Sequence, residues 1–198
     1  MLDAAALTAA LPRWCAAMHE SMAELNALDG RLGDADLGVT LDKCATLVEQ
    51  ALPEMPETLE GMFKRCAQAT AKASGSSFGT LLTVALMTSA KHCAGTASLD
   101  RAALAALLAE VVNVLSARGG AALGDKTVLD GLQAIAQALS TAPRDAALRP
   151  VASKAARDAL DAFRDKPNRI GRARMFADKT IGMDDPGMVA LQRMVDAV

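Results

Sequence analysis

Leu104, Leu107, Leu108, Val111, Val112 and Leu115 recur at intervals of three and four residues, so a helix gathers all six on one face. The same spacing returns at Leu11, Trp14, Cys15, Met18, Met22 and Leu25, and again at Leu129, Leu132, Ile135 and Leu139. Aromatic residues make up only 3% of the chain, tyrosine is absent, and the 52% hydrophobic content is rich in Ala, Leu and Met. Such a composition favours helix over sheet. The expectation is an all-α protein, and 198 residues suit one domain, 1–198.

Along the chain, the first helix is expected over 4–27, with Pro12 near a helical start or a kink. A second runs from about Val39 to Leu52, stopping before Pro53 and Pro56, and a third from about Thr58 to Lys72. A fourth begins with the apolar run Leu81 to Met87, and a fifth, capped by Ser98, ends at Arg118-Gly119-Gly120. Gly124-Asp125-Lys126-Thr127 opens the sixth, and the seventh spans about Asp145 to Phe163. The last starts with Asp185 as N-cap and Pro186 in the first helical position, where its missing N–H costs nothing. Short connections favour antiparallel neighbours, hence an up-and-down bundle or barrel of about eight antiparallel helices.

Between the first two helices stands Leu28-Asp29-Gly30-Arg31-Leu32-Gly33-Asp34-Ala35-Asp36-Leu37-Gly38. A helix points residues two apart to different sides, so Asp34 and Asp36 act together only if this stretch is a loop. Glycines at 30, 33 and 38 permit one. Three carboxylates brought together repel one another, and a divalent cation is the usual remedy. The stretch is therefore read as a Mg2+ site built from Asp29, Asp34 and Asp36. Ala73-Ser74-Gly75-Ser76-Ser77-Phe78-Gly79-Thr80 is a second small-residue loop, open to two readings: an anion site at a helix N-terminus or a well-capped junction. Arg169 to Gly182 holds several cations and little periodicity, and reads as a functional loop or a solvated connection.

A net charge of −2 and the lack of aromatic stacking platforms argue against nucleic acid. Apolar runs are broken by charges or glycines before roughly 18 residues, so no membrane span is expected, and with no signal peptide the protein is expected in the cytoplasm. Cys15, Cys44, Cys66 and Cys93 show no metal-ligand spacing and read as core residues, and His19 and His92 as isolated helix-surface or capping side chains. The chain lacks GxxxxGK[ST], an EF-hand loop, a Rossmann glycine pattern and protein-kinase signatures.

Four segments in order, Gly33-Asp34-Ala35-Asp36-x-Gly38, Ala73-Ser74-Gly75 to Phe78-Gly79-Thr80, Gly124-Asp125-Lys126-Thr127, and Gly171-Arg172-Ala173 through Ile181-Gly182 to Asp185-Pro186-Gly187, resemble the nucleotide-binding L subunit of dihydroxyacetone kinases. The resemblance implies a barrel of eight antiparallel helices that binds ADP or ATP at one end through two Mg2+ ions held by Asp29, Asp34 and Asp36. It places Ala73, Ser74 and Gly75 against the nucleotide, Gly119 and Val128 beside base or ribose, and Arg172 nearby, with Asp185, Pro186 and Gly187 closing the pocket. Leu37, Gly38, Thr40 and Thr127 complete the expected nucleotide contacts. Leu37 stands where family members usually carry histidine, and Thr40 where they often carry an amide side chain.

In function, the resemblance implies the nucleotide subunit of a short-ketose kinase, with no catalytic residue beyond its metal-nucleotide site. A separate K-type subunit holds the ketose on a histidine, and in some relatives a phosphohistidine protein of the sugar phosphotransferase system rephosphorylates a permanent ADP. The alternatives are an ATP-dependent kinase subunit for a related tetrose and a non-catalytic ADP- and Mg2+-dependent module that binds a partner.

Overall fold

The structure is a computed structural model that describes residues 1–73, 75–143 and 145–198. Among them are eight α-helices: α1 Ala4–Leu32, α2 Leu37–Ala51, α3 Leu59–Ala73, α4 Ser77–His92, α5 Arg101–Gly119, α6 Val128–Thr141, α7 Leu148–Arg164 and α8 Pro186–Ala197. Each packs on its neighbour in sequence, and α8 returns to α1, which closes the ring. This is the expected all-α barrel. The only sheet among the described residues is a two-residue antiparallel pairing of β1, Leu2–Asp3, with β2, Ser98–Leu99.

The apolar stripes face inward as their spacing requires. Leu11, Cys15, Met18 and Leu25 of α1 meet Leu41 and Val48 of α2, Met62 and Cys66 of α3, and Met188 of α8. Leu107, Val111 and Leu115 of α5 pack with Leu59, Cys93, Leu99 and Leu129. All four cysteines are buried free thiols, and burial pushes Cys15 up to about 12 and Cys44 and Cys66 to about 11, as suits core packing rather than reactivity. The two histidines tie helices together at the surface: His19 pairs with Asp42 at 2.6 Å and His92 with Glu110 at 2.6 Å. The Asp42 hydrogen bond holds the His19 imidazole above its usual range.

Several boundaries differ from the sequence expectation for identifiable reasons. Pro12 lies inside an unbroken α1, and α1 runs to Leu32, so Asp29 is helical and Gly30 interrupts nothing. Asp100, not Ser98, caps α5: its carboxylate accepts from the Ala103 N–H at 2.8 Å, and Ser98 is taken up in β2. Helix α5 is long and apolar enough, by length and composition alone, to match a membrane-spanning segment, although Glu110 breaks its apolar run as expected. Here it packs between α4 and α6. The basic segment after α7 holds an irregular 3-10 turn over Ala173–Thr180, kinked at Ala177, whose φ is 45°.

Candidate functional site

Alternation of the ring sets α2, α4, α6 and α8 with their N-termini around one cavity of about 500 Å³. Asp36 and Leu37 contribute from α2, Ser76, Ser77 and Phe78 from α4, Thr127 and Val128 from α6, and Asp185, Pro186 and Gly187 from α8. Four helix N-termini directed at one space favour an anion there, through their free N–H groups and aligned dipoles. Three are capped by their own side chains: Ser76 accepts from Gly79 N–H, Thr127 from Leu129 N–H and Asp185 from Met188 N–H. Asp36, at the head of α2, makes no such cap. Its carboxylate is left to the site.

The aspartates come together although Asp29 is helical. Asp29 sits in the last turn of α1, and its Oδ2 accepts the Asp36 N–H at 3.0 Å. Between Asp34 and Asp36, Ala35 takes φ 60°, a left-handed turn unusual for alanine, which folds the chain back toward Asp29. Gly33 is required for close approach, because a Cβ there would lie 2.7 Å from Asp29 Oδ1. One oxygen from each of Asp29, Asp34 and Asp36 falls within 4.8 Å of the others. This is a hard-oxygen donor set of the kind Mg2+ takes. Burial, and then the neighbouring Asp29 charge, hold the Asp36 carboxyl above its ordinary range, and the Arg172 guanidinium pairs with Asp34.

The rest of the wall is apolar. Leu81 of α4, Leu115 of α5, Val128 and Leu129 of α6, and Ile170 form it, with Arg118 and Gly119 at the end of α5. Ser76, Ser77, Phe78, Thr80, Leu81, Leu115, Arg118, Ile170 and Gly171 join the site beyond the expected residues. In the sequence, Leu81, Leu115 and Leu129 are ordinary stripe positions. Nothing in their spacing separates a cavity wall from a core.

Of the expected nucleotide contacts, Leu37, Gly119, Thr127, Val128, Arg172, Asp185, Pro186 and Gly187 line the cavity. Gly38, Thr40, Ala73 and Gly75 are not among the lining residues. Gly38 is pressed against α1, where a Cβ would meet Met22 O at 2.0 Å, and Thr40 is buried between helices. Ala73 ends α3 and Gly75 is exposed beyond it. Ser74 lies outside the described residues.

Lys126, in Gly124-Asp125-Lys126-Thr127, does not line the cavity. It is 1% exposed, and its Nζ donates to the carbonyls of Arg164, Lys166 and Thr180 at 3.0, 2.8 and 3.0 Å. Burial pulls its ammonium below the usual lysine range, against the attraction of Asp185, Asp184 and Asp165. Asn168 Nδ2 donates both to Lys126 O and to Asp185 Oδ2, each at 2.9 Å.

Burial pushes the Asp185 carboxyl up to about 6, although the Met188 N–H, the Asn168 amide and Lys126 pull it down. The folded protein thus holds this proton more tightly than the unfolded chain, where the group titrates near 3.8. Its favourable contribution is full below that value and is lost as pH rises through about 6. In urea denaturation, wild type is expected to gain stability relative to Asp185→Asn on going from about pH 7 to about pH 4.5. A difference that stays constant with pH would refute the shift.

The chain has relatives among known proteins. The chain is 28% identical over 185 residues to an L-erythrulose 1-kinase of Mycolicibacterium smegmatis, covering 90% of this chain and 32% of that protein. It therefore spans about a third of the length of that relative. It is 25% identical over 176 residues to the ADP-binding subunit DhaL of the PEP-dependent dihydroxyacetone kinase of Escherichia coli, covering 86% of this chain and 84% of the subunit. The crystal structure of the dihydroxyacetone kinase from C. freundii, in complex with AMP-PNP and Mg2+, superposes with a TM-score of 0.76 at 25% identity, covering 98% of this chain and 33% of that one. The model of the DAK2 domain matches residues 31–198, and the chain belongs to the DAK2 domain family.

Proposed function

We propose that this chain is the nucleotide-binding part of a dihydroxyacetone-type kinase, transferring a phosphoryl group from bound ADP/ATP nucleotide to a short ketose presented by a K-type partner. The observation that carries the reading is the convergence of Asp29, Asp34 and Asp36 within 4.8 Å at a cavity ringed by four helix N-termini. Two Mg2+ ions held by these carboxylates would neutralise phosphate charge and align the group to be transferred. The chain's own residues have simpler tasks. The three aspartates would hold the metal, the N-termini of α2 and α4 would face the phosphates, and Leu81, Leu115, Val128 and Ile170 would keep water from the base. Arg172 adds positive charge at the carboxylate edge.

Neither histidine lines the cavity, and each is engaged by a carboxylate between helices. This supports the partner, rather than this chain, as the holder of the ketose on a histidine, as the resemblance implies. The E. coli relative is by name a subunit of a PEP-dependent kinase, which favours a phosphotransferase protein as the donor that recharges bound ADP. The Mycolicibacterium relative, an L-erythrulose 1-kinase, favours including a tetrose among the substrates.

The test combines purified protein, a K-type subunit, dihydroxyacetone or erythrulose, and either ATP or a phosphohistidine donor. Sugar phosphate formed only with the phosphohistidine donor, together with ADP found by mass spectrometry in freshly purified protein, is the expected result. Product with ATP alone would select the ATP-dependent scheme. No product with either donor, while ADP and Mg2+ still bind, would leave a non-catalytic partner-binding module.

A further inference from the structure

Residues 165–185 form a connection much longer than the usual few residues between helices of a bundle. This strap supplies Ile170, Gly171, Arg172 and Ala173 to the cavity wall, yet it has no long apolar stripe to seat it. What holds it is a small buried polar core: Lys126, Asn168 and Thr180 are 1%, 4% and 0% exposed.

The three N–H bonds of the Lys126 ammonium are spent on three carbonyls, those of Arg164 and Lys166 at the start of the strap and of Thr180 near its end. Asn168 adds a second layer. Its amide donates to Lys126 O and to Asp185 Oδ2, and its N–H donates to Thr180 Oγ1 at 2.8 Å. The Arg169 N–H reaches Asp125 O at 3.1 Å, and the Gly182 N–H reaches Arg164 O at 2.9 Å. Both ends of the strap thus converge on one side chain rooted at the head of α6. The four wall residues hang between Asn168 and Thr180. Lys126 itself does not line the cavity.

We propose that Lys126 is a positioning residue, an ammonium staple that fixes the strap as a wall of the cavity and thereby sets how long a bound nucleotide stays. The second half of this statement rests on the nucleotide-binding reading above. Methionine at 126 preserves much of the side-chain volume and removes all three tethers together. The barrel, built from apolar stripes elsewhere, keeps its own contacts, while the strap loses the group that joins its ends.

Limited trypsin digestion of the full chain reads the strap, because Arg169, Arg172, Arg174 and Lys179 lie within it. Release of the fluorescent nucleotide mant-ADP, with Mg2+ present, reads residence. Lys126→Met is expected to raise both cleavage within the strap and the mant-ADP dissociation rate by about tenfold or more, with helical circular dichroism unchanged. Should that variant not fold, Asn168→Ala, which spares the three lysine tethers, is expected to raise both rates by about threefold. A folded Lys126→Met protein with wild-type strap cleavage, or with loosened strap but wild-type mant-ADP release, would overturn the proposal. Wild-type protein that binds no mant-ADP would overturn the nucleotide reading and the residence role, whereas faster strap cleavage in the variant would still support the staple.

Discussion

Replacing Gly38 with alanine is expected to cost about 3 kcal/mol of folding stability or more, because among the described glycines an added Cβ meets its nearest neighbour at the shortest distance here. The new Cβ would lie 2.0 Å from the Met22 carbonyl oxygen, 2.9 Å from its carbon and 2.7 Å from Asn26 Oδ1. Two of these atoms are backbone, so no side-chain rotation makes room. Helix α2 would have to back away from α1. The same movement would stretch the bond from the Val39 N–H to Asn26 Oδ1, now 3.1 Å, and draw Asp36 away from Asp29. Urea denaturation checks the stability loss, and Gly75→Ala, where an added Cβ meets nothing within 4 Å, is the control expected to stay within about 0.5 kcal/mol of wild type. Equal midpoints for the two variants would refute the close helix contact. Gly38 supports the site by letting two helices touch, not by touching a nucleotide.

The second large effect concerns the carboxylates themselves. Asp34→Asn with Asp36→Asn is expected to abolish Mg-ADP binding, with at least about a hundredfold loss of affinity, while the unliganded protein becomes slightly more stable. The opposite signs are the useful part. Removing charge relieves repulsion among groups brought within 4.8 Å of one another, and the exposed Arg172–Asp34 pair that is lost contributes little. Wild type saturated at a hundred times its Kd should gain about 2.7 kcal/mol from ligand, visible as a raised unfolding temperature. The double variant should show no such rise. A ligand-induced rise of equal size in both proteins would show that these aspartates do not hold the metal.

Much of the architecture was legible because helices announce themselves by period. The stripes of α1, α5 and α6 specified both their helicity and their buried faces, and the Asp185-Pro186 pair marked the start of α8. The aspartate segment was legible as a site but not in its local form. Glycine at 30 costs roughly 1 kcal/mol in a helix, an amount that the packing of a 29-residue α1 absorbs, so Asp29 is delivered by the helix rather than by a loop. Pro12 was absorbed in the same way.

The strap was illegible for a different reason. Its seat is a lysine ammonium facing three main-chain carbonyls, and carbonyls leave no trace in side-chain sequence. In the sequence, Gly124-Asp125-Lys126-Thr127 therefore showed only the opening of a helix and one segment of the family resemblance. In the structure Thr127 faces the cavity and Lys126, with φ 62°, turns to the strap behind it. The cavity's apolar wall was hidden too, since Leu115 belongs to the same stripe as the core residues Leu107 and Val111.

The packing of α8 on α1 also fixes where α8 ends along the first helix. The Arg13 Nε–H donates to the Ala197 carbonyl at 3.0 Å, so the last turn of α8 is tied to α1 nine residues beyond its start, at a point about 24 Å along the helix from Asp29 at 1.5 Å per residue. The contact that closes the ring and the turn that carries Asp29 thus occupy separate stretches of one helix.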